Sequence, residues 1–108
     1  MVLILMVKVH HKTFCQYYKM RMSLDEEVEL LTITAEECAE VAQVCAKAVR
    51  FGCEDHTLDN LEKEIGDLMC MVAYLAQYGL IDIDNMEDHV KAKAKKLLQY
   101  SKLEELEL

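Results

Sequence analysis

The chain has 108 residues, is 53% hydrophobic, contains no Pro and only three Gly, and carries a formal net charge of −8. That apolar content excludes intrinsic disorder, and the shortage of turn residues excludes a β-sandwich built on many tight turns. The acid excess excludes a long nucleic acid held through phosphate contacts.

Residues 1–22 hold Lys8, Lys12, Lys19 and Arg21 and no acid, so a local charge of +4 leaves −12 for the remainder. Residues 1–7 are all apolar, but a bilayer span needs about 20 such residues. The leading positive charge and small-residue cleavage site of a secretory signal are also missing. Residues 2–9 can pair as a strand or form a loosely attached arm. Residues 1–21 are therefore expected to lie outside the functional core, and a helical domain is expected over 22–108.

Periodicity predicts three helices. The first runs from about Leu24 to Phe51 and stops at Gly52. β-Branched Thr32, Ile33 and Thr34 weaken it, and Thr34 with Glu37 has capping-box spacing, so a break near Thr34 is possible. The second runs from about Leu58 to Tyr78 and stops at Gly79, with Thr57 or Asp59 as its cap. The third runs from about Asn85 to Tyr100, capped by Asp84, and residues 101–108 fray or extend it. Short connections over about 52–56 and 79–84 favour antiparallel neighbours.

The second helix is apolar on most sides, from Ile65 through Met69, Met71 and Val72 to Leu75 and Ala76. A helix apolar all round is a buried helix. One short chain supplies too few neighbours for it. The expected fold is therefore all-α, with antiparallel helices completing a four-helix-type bundle through a homodimer or a dimer of dimers. Five cysteines stand at 15, 38, 45, 53 and 70, with no C-x-x-C pair. Cys38 and Cys45 share a helical face among Ala and Val. They are expected to be small buried hydrophobes in a reducing cytoplasm.

The informative acids are those that interrupt apolar stripes. One face of the first helix reads Ile33, Glu37, Glu40, Val44, Ala48, Phe51. One face of the second reads Leu61, Glu64, Leu68, Met71, Leu75, with Asp67 beside Glu64. Residues three apart are neighbours on a helix, so two acid pairs can face each other across an antiparallel packing. Two like charges 4 Å apart cost about 4 kcal/mol at an effective dielectric of ~20. Such groups protonate, separate into solvent or bind a cation. An all-oxygen carboxylate set suits Mg²⁺ or Mn²⁺, and such an ion favours a phosphate-bearing substrate. The competing reading is a solvated acidic face. A di-iron site needs Glu-x-x-His motifs on two helices, and no histidine stands three residues after a glutamate.

Glu36-Glu37-Cys38-Ala39-Glu40, then 23 intervening residues, then Glu64-Ile65-Gly66-Asp67, resembles the E-E-x-x-E … E-x-x-D signature of the all-α nucleoside triphosphate pyrophosphohydrolases, the MazG-like superfamily. The likeness covers about residues 24–101. It implies that Glu37, Glu40, Glu64 and Asp67 hold Mg²⁺, with Mn²⁺ a possible substitute. It implies that Glu36 orients or deprotonates the attacking water. The implied reaction cleaves a nucleoside triphosphate between the α- and β-phosphates, giving a monophosphate and pyrophosphate. Lys93 and Lys96 resemble lysines of the family's C-terminal helix. Lys47 and Arg50 are further candidates to hold phosphate, and Asn60 and the surroundings of Phe51 to hold the base. Phe51 reads equally as plain core. Two alternatives stay open: a non-catalytic helical interaction module whose acids are surface charge, and the same fold acting on another pyrophosphate, such as phosphoribosyl-ATP.

Overall fold

The computed structural model describes residues 22–107. The basic arm over 1–21, the possible strand at 2–9 and Cys15 lie outside the described residues. Those residues form helices α1 (Leu24–Phe51), α2 (Asp55–Gln77) and α3 (Ile83–Tyr100) and no strand.

Helix α1 begins where Ser23 caps it, the Ser23 hydroxyl accepting from the Glu26 N–H at 3.1 Å. Asp25, Glu26 and Glu27 fill its first turn and Arg50 its last, matching the helix dipole at both ends. It runs unbroken for 28 residues, so the break expected near Thr34 is absent. The Thr34 hydroxyl donates to the Leu30 carbonyl at 2.7 Å. That bond occupies the hydroxyl within the helix instead of letting it cap a new one. Gly52 ends α1 with φ of 95°, its N–H bonding the Ala48 carbonyl at 2.9 Å.

Helix α2 starts at Asp55, earlier than Thr57 or Asp59 would place it, and its N-cap Glu54 makes no side-chain capping bond. Its end is a Schellman closure: Leu80 N–H reaches the Leu75 carbonyl at 2.8 Å and Gly79 N–H the Ala76 carbonyl at 3.1 Å. Gly79 supplies the positive φ, 79°, that this turn requires. Asp82, not Asp84, caps α3, its carboxylate accepting from the N–H groups of Asp84 and Asn85.

Helices α1 and α2 pack along each other. Leu30 and Ile33 of α1 share a groove with Met71 and Tyr74 of α2. At the other end Val44 and Phe51 stand with Thr57 and Asn60. Low numbers on one helix meet high numbers on the other, so the pair is an antiparallel hairpin. Helix α3 does not extend that packing. It is anchored at its start, where buried Ile83 meets Ala76, with Met69, Ile81 and Met86 around them. A short connection therefore does not lay α3 along α2.

The buried apolar residues of the described chain are Met71, Leu75, Ala76 and Ile83. Among the described residues helix α2 is not covered on all sides: Ile65 is 41% and Tyr74 46% exposed. Cys38, Cys45, Cys53 and Cys70 are free and exposed, against the burial expected of Cys38 and Cys45. Among the described residues no helix lies opposite the face they occupy on α1. Phe51 is not core either; it is 72% exposed, with the Arg50 guanidinium 5.3 Å from its ring centre.

Candidate functional site

Along the α1–α2 seam most positions are apolar, as the two stripes require. Ile33, Val44 and Ala48 of α1 and Leu61 and Leu68 of α2 are half-buried, while Met71 and Leu75 are buried. Four acids interrupt this seam. Glu37 and Glu40 come from one turn of α1, Glu64 and Asp67 from one turn of α2. Each offers a carboxylate oxygen, and all four oxygens lie within 4.8 Å of one another. Glu37, Glu64 and Asp67 are half-buried and Glu40 is exposed.

With the carboxylates ionised, Glu37 Oε2 and Glu64 Oε2 are buried and accept no hydrogen bond. A buried acceptor left unpaired costs about 1–3 kcal/mol, and a charged one more. Two remedies exist, a proton or a cation. For the proton, hydrogen bonding to Glu64 raises the pKa of Glu40, and repulsion from Glu64 and Glu37 and some desolvation raise it further, against a smaller opposing effect of Lys63. The donor set equally suits a hard divalent cation, because four carboxylate oxygens converge and nothing softer is present.

The raised Glu40 pKa has a stability consequence of definite sign. A carboxyl whose folded pKa lies above its unfolded value favours the fold while protonated, and loses that contribution as pH rises through the folded value. In metal-free buffer Glu40→Gln is therefore expected to melt above the wild type at neutral pH. The gap should close on acidification below the ordinary carboxylate range. Thermal melts of both forms across about pH 3 to 8 check this. A variant that melts below wild type at neutral pH would contradict it.

Lys63 belongs to this site and carries no motif signature. Its Nζ donates to Asp67 Oδ2 at 3.0 Å and to Glu64 Oε1 at 3.4 Å. Its hydrogen bond to Asp67 raises its pKa, with Glu64 adding to the effect. The signal was the i,i+4 spacing of Lys63 and Asp67 on an exposed helix face.

The remaining candidates are placed as follows. Glu36 is exposed on α1, next to Glu37 but outside the four-carboxylate cluster. Lys47 and Asn60 meet at a cavity of about 330 Å³ between α1 and the start of α2, with Val44, Phe51 and Thr57 in its wall. Arg50 lies over Phe51 and is not in that wall. Lys93 lines a separate groove on α3 with Val90, Ala94 and Leu97, and this groove holds none of the four carboxylates. Lys96 is exposed on α3. Among the described residues no helix is long and apolar enough to cross a membrane.

Residues 25–98 match the MazG nucleotide pyrophosphohydrolase domain. Comparison with curated proteins and with solved structures finds no match.

Proposed function

Because the chain belongs to the MazG nucleotide pyrophosphohydrolase family, we propose that it is a Mg²⁺-dependent enzyme that hydrolyses a ribo- or deoxyribonucleoside triphosphate to the monophosphate and pyrophosphate. Clearance of unwanted nucleotides from the cellular pool fits that activity. The observation that carries this reading is the pair of buried, unpartnered oxygens, Glu37 Oε2 and Glu64 Oε2, inside a four-carboxylate cluster.

Glu37, Glu40, Glu64 and Asp67 would hold the cation. Once bound, it would lower the pKa of water and neutralise phosphate charge, so that an acidic protein can take a polyanion. Glu36, exposed beside Glu37, takes the proton from the attacking water. The water oxygen bonds to the α-phosphorus, the bond to the bridging oxygen breaks, and pyrophosphate leaves with that electron pair. Lys47 and Asn60 hold the nucleotide at the adjoining cavity, Lys47 by charge and Asn60 by its amide. Arg50, Lys93 and Lys96 are the other candidates for phosphate contact.

The deciding experiment is pyrophosphate release across a panel of NTPs and dNTPs with Mg²⁺, run beside Glu40→Gln, with phosphoribosyl-ATP as a further arm. Release by wild type and its loss in the variant support the site. Equal release by both places the chemistry elsewhere.

The exposed apolar surface of α2 supports a homodimer or a dimer of dimers. In such an assembly the melting midpoint is expected to rise with protein concentration. A midpoint constant over a hundredfold dilution (about the range that separates the cases) points to a monomer. The four cysteines among the described residues are free and exposed, which suits a reducing cytoplasm.

A further inference from the structure

We propose that Lys63 is a tethered counter-ion of the carboxylate cluster, holding its charge in check until a divalent cation takes over that role. This rests on the cluster being a metal centre.

Lys63 stands between Glu62 and Glu64 on α2, one turn before Asp67. Its ammonium touches both α2 members of the cluster. It reaches them from the rim: the Lys63 side chain is 66% exposed, while that of Glu64 is 15% exposed. On Glu64 the two oxygens face different surroundings. Oε1 accepts from Lys63, whereas Oε2 is buried and unpartnered, as is Glu37 Oε2 on the facing helix.

The ammonium therefore does half of what the cluster needs. It supplies one positive charge against four acids and satisfies the outer oxygens only. A divalent cation supplies twice that charge, and one oxygen from each of the four acids lies close enough to be shared. Two cations drawing on the same carboxylates repel each other. For charges of one and two about 5 Å apart in a water-like medium, that repulsion weakens metal binding roughly tenfold. A monovalent ion offers no gain in charge over the ammonium already there, and the tether keeps that ammonium at high local concentration.

Removing the ammonium should accordingly move two quantities in opposite directions. The test is a Mn²⁺ titration of the full chain as wild type, K63M, K63Q and K63R. Binding is followed by the electron paramagnetic resonance of free Mn²⁺, and folding by the thermal midpoint. K63M and K63Q are expected to melt lower than wild type without metal, yet to bind Mn²⁺ roughly tenfold more tightly. K63R, which keeps the charge, should stay near wild type. If K63M does not fold, K63Q decides. Unchanged or weaker Mn²⁺ binding in the neutral variants overturns the counter-ion and leaves the metal centre standing. If no form binds Mn²⁺, the metal centre itself fails and the counter-ion with it.

Discussion

Glu64→Gln is expected to lower pyrophosphate release by roughly two orders of magnitude or more. It should also remove the stabilisation of the fold by divalent cation. Of the four acids this one has the clearest physical case. Its side chain is only 15% exposed, and its Oε2 is buried without a donor. Gln keeps the shape and one carbonyl oxygen but loses the anionic ligand, so the variant separates charge from packing. A cation at a hundred times its Kd stabilises the native state by about 2.7 kcal/mol, and that increment is what the variant should lack. Glu36→Gln is the informative companion. Glu36 lies outside the cluster, so turnover should fall while stabilisation by cation persists. The two readouts are steady-state release of pyrophosphate and the shift of the melting midpoint with Mg²⁺. If Glu64→Gln keeps either one at the wild-type level, the cation is held elsewhere.

Ile83→Ala is expected to cost about 2–5 kcal/mol, the range for truncating a buried Ile. Ile83 is 1% exposed and is the largest fully buried side chain among the described residues. It sits against Ala76, with Met69, Ile81 and Met86 packed around the two. This small cluster is where α3 joins the hairpin. The lost methylenes leave a cavity that neither Ala76 nor the Asp82 cap can fill. Val49→Ala on α1, at a site 86% exposed, should stay within about 0.5 kcal/mol of wild type. Denaturant midpoints at a fixed protein concentration compare the two. A loss at Ile83 no larger than at Val49 would mean that α3 is held by something other than this contact.

Much of the hairpin was legible because it obeys periodicity. The bounds of α1 follow from an apolar stripe and Gly52. The stripes through Ile33 and Val44, and through Leu61, Leu68 and Leu75, are those turned toward the opposite helix. Antiparallel pairing then brings two i,i+3 acid pairs together, which spacing alone allowed. What was not legible depends on backbone detail or on long side chains. Asp82 and Asp84 are both good caps, and only the backbone path of the turn decides that Asp82 bonds forward. Helix α2 begins at Asp55 with no side-chain cap to announce it. The direction of α3 follows from the insertion of Ile83 beside Ala76, which loop length does not encode. For the same reason periodicity could assign Lys93 and Lys96 to a helix but not to a neighbour. Lys63 escaped notice because its role depends on where a flexible four-carbon stem folds.

All four clustered acids come from a single helical hairpin closed by Gly52, Cys53 and Glu54. That arrangement bears on alignment. Apolar seams tolerate a slip of one helical turn, about 5.4 Å, because similar side chains recur along each stripe. The acids do not. A slip of one turn would set Glu40 against Leu61 or Leu68 and break up the four-acid set. The mutual repulsion of the ionised acids works against the aligned pairing, and a shared cation works for it. The cation would then act as a register pin, selecting one of several near-equivalent ways to zip α1 onto α2.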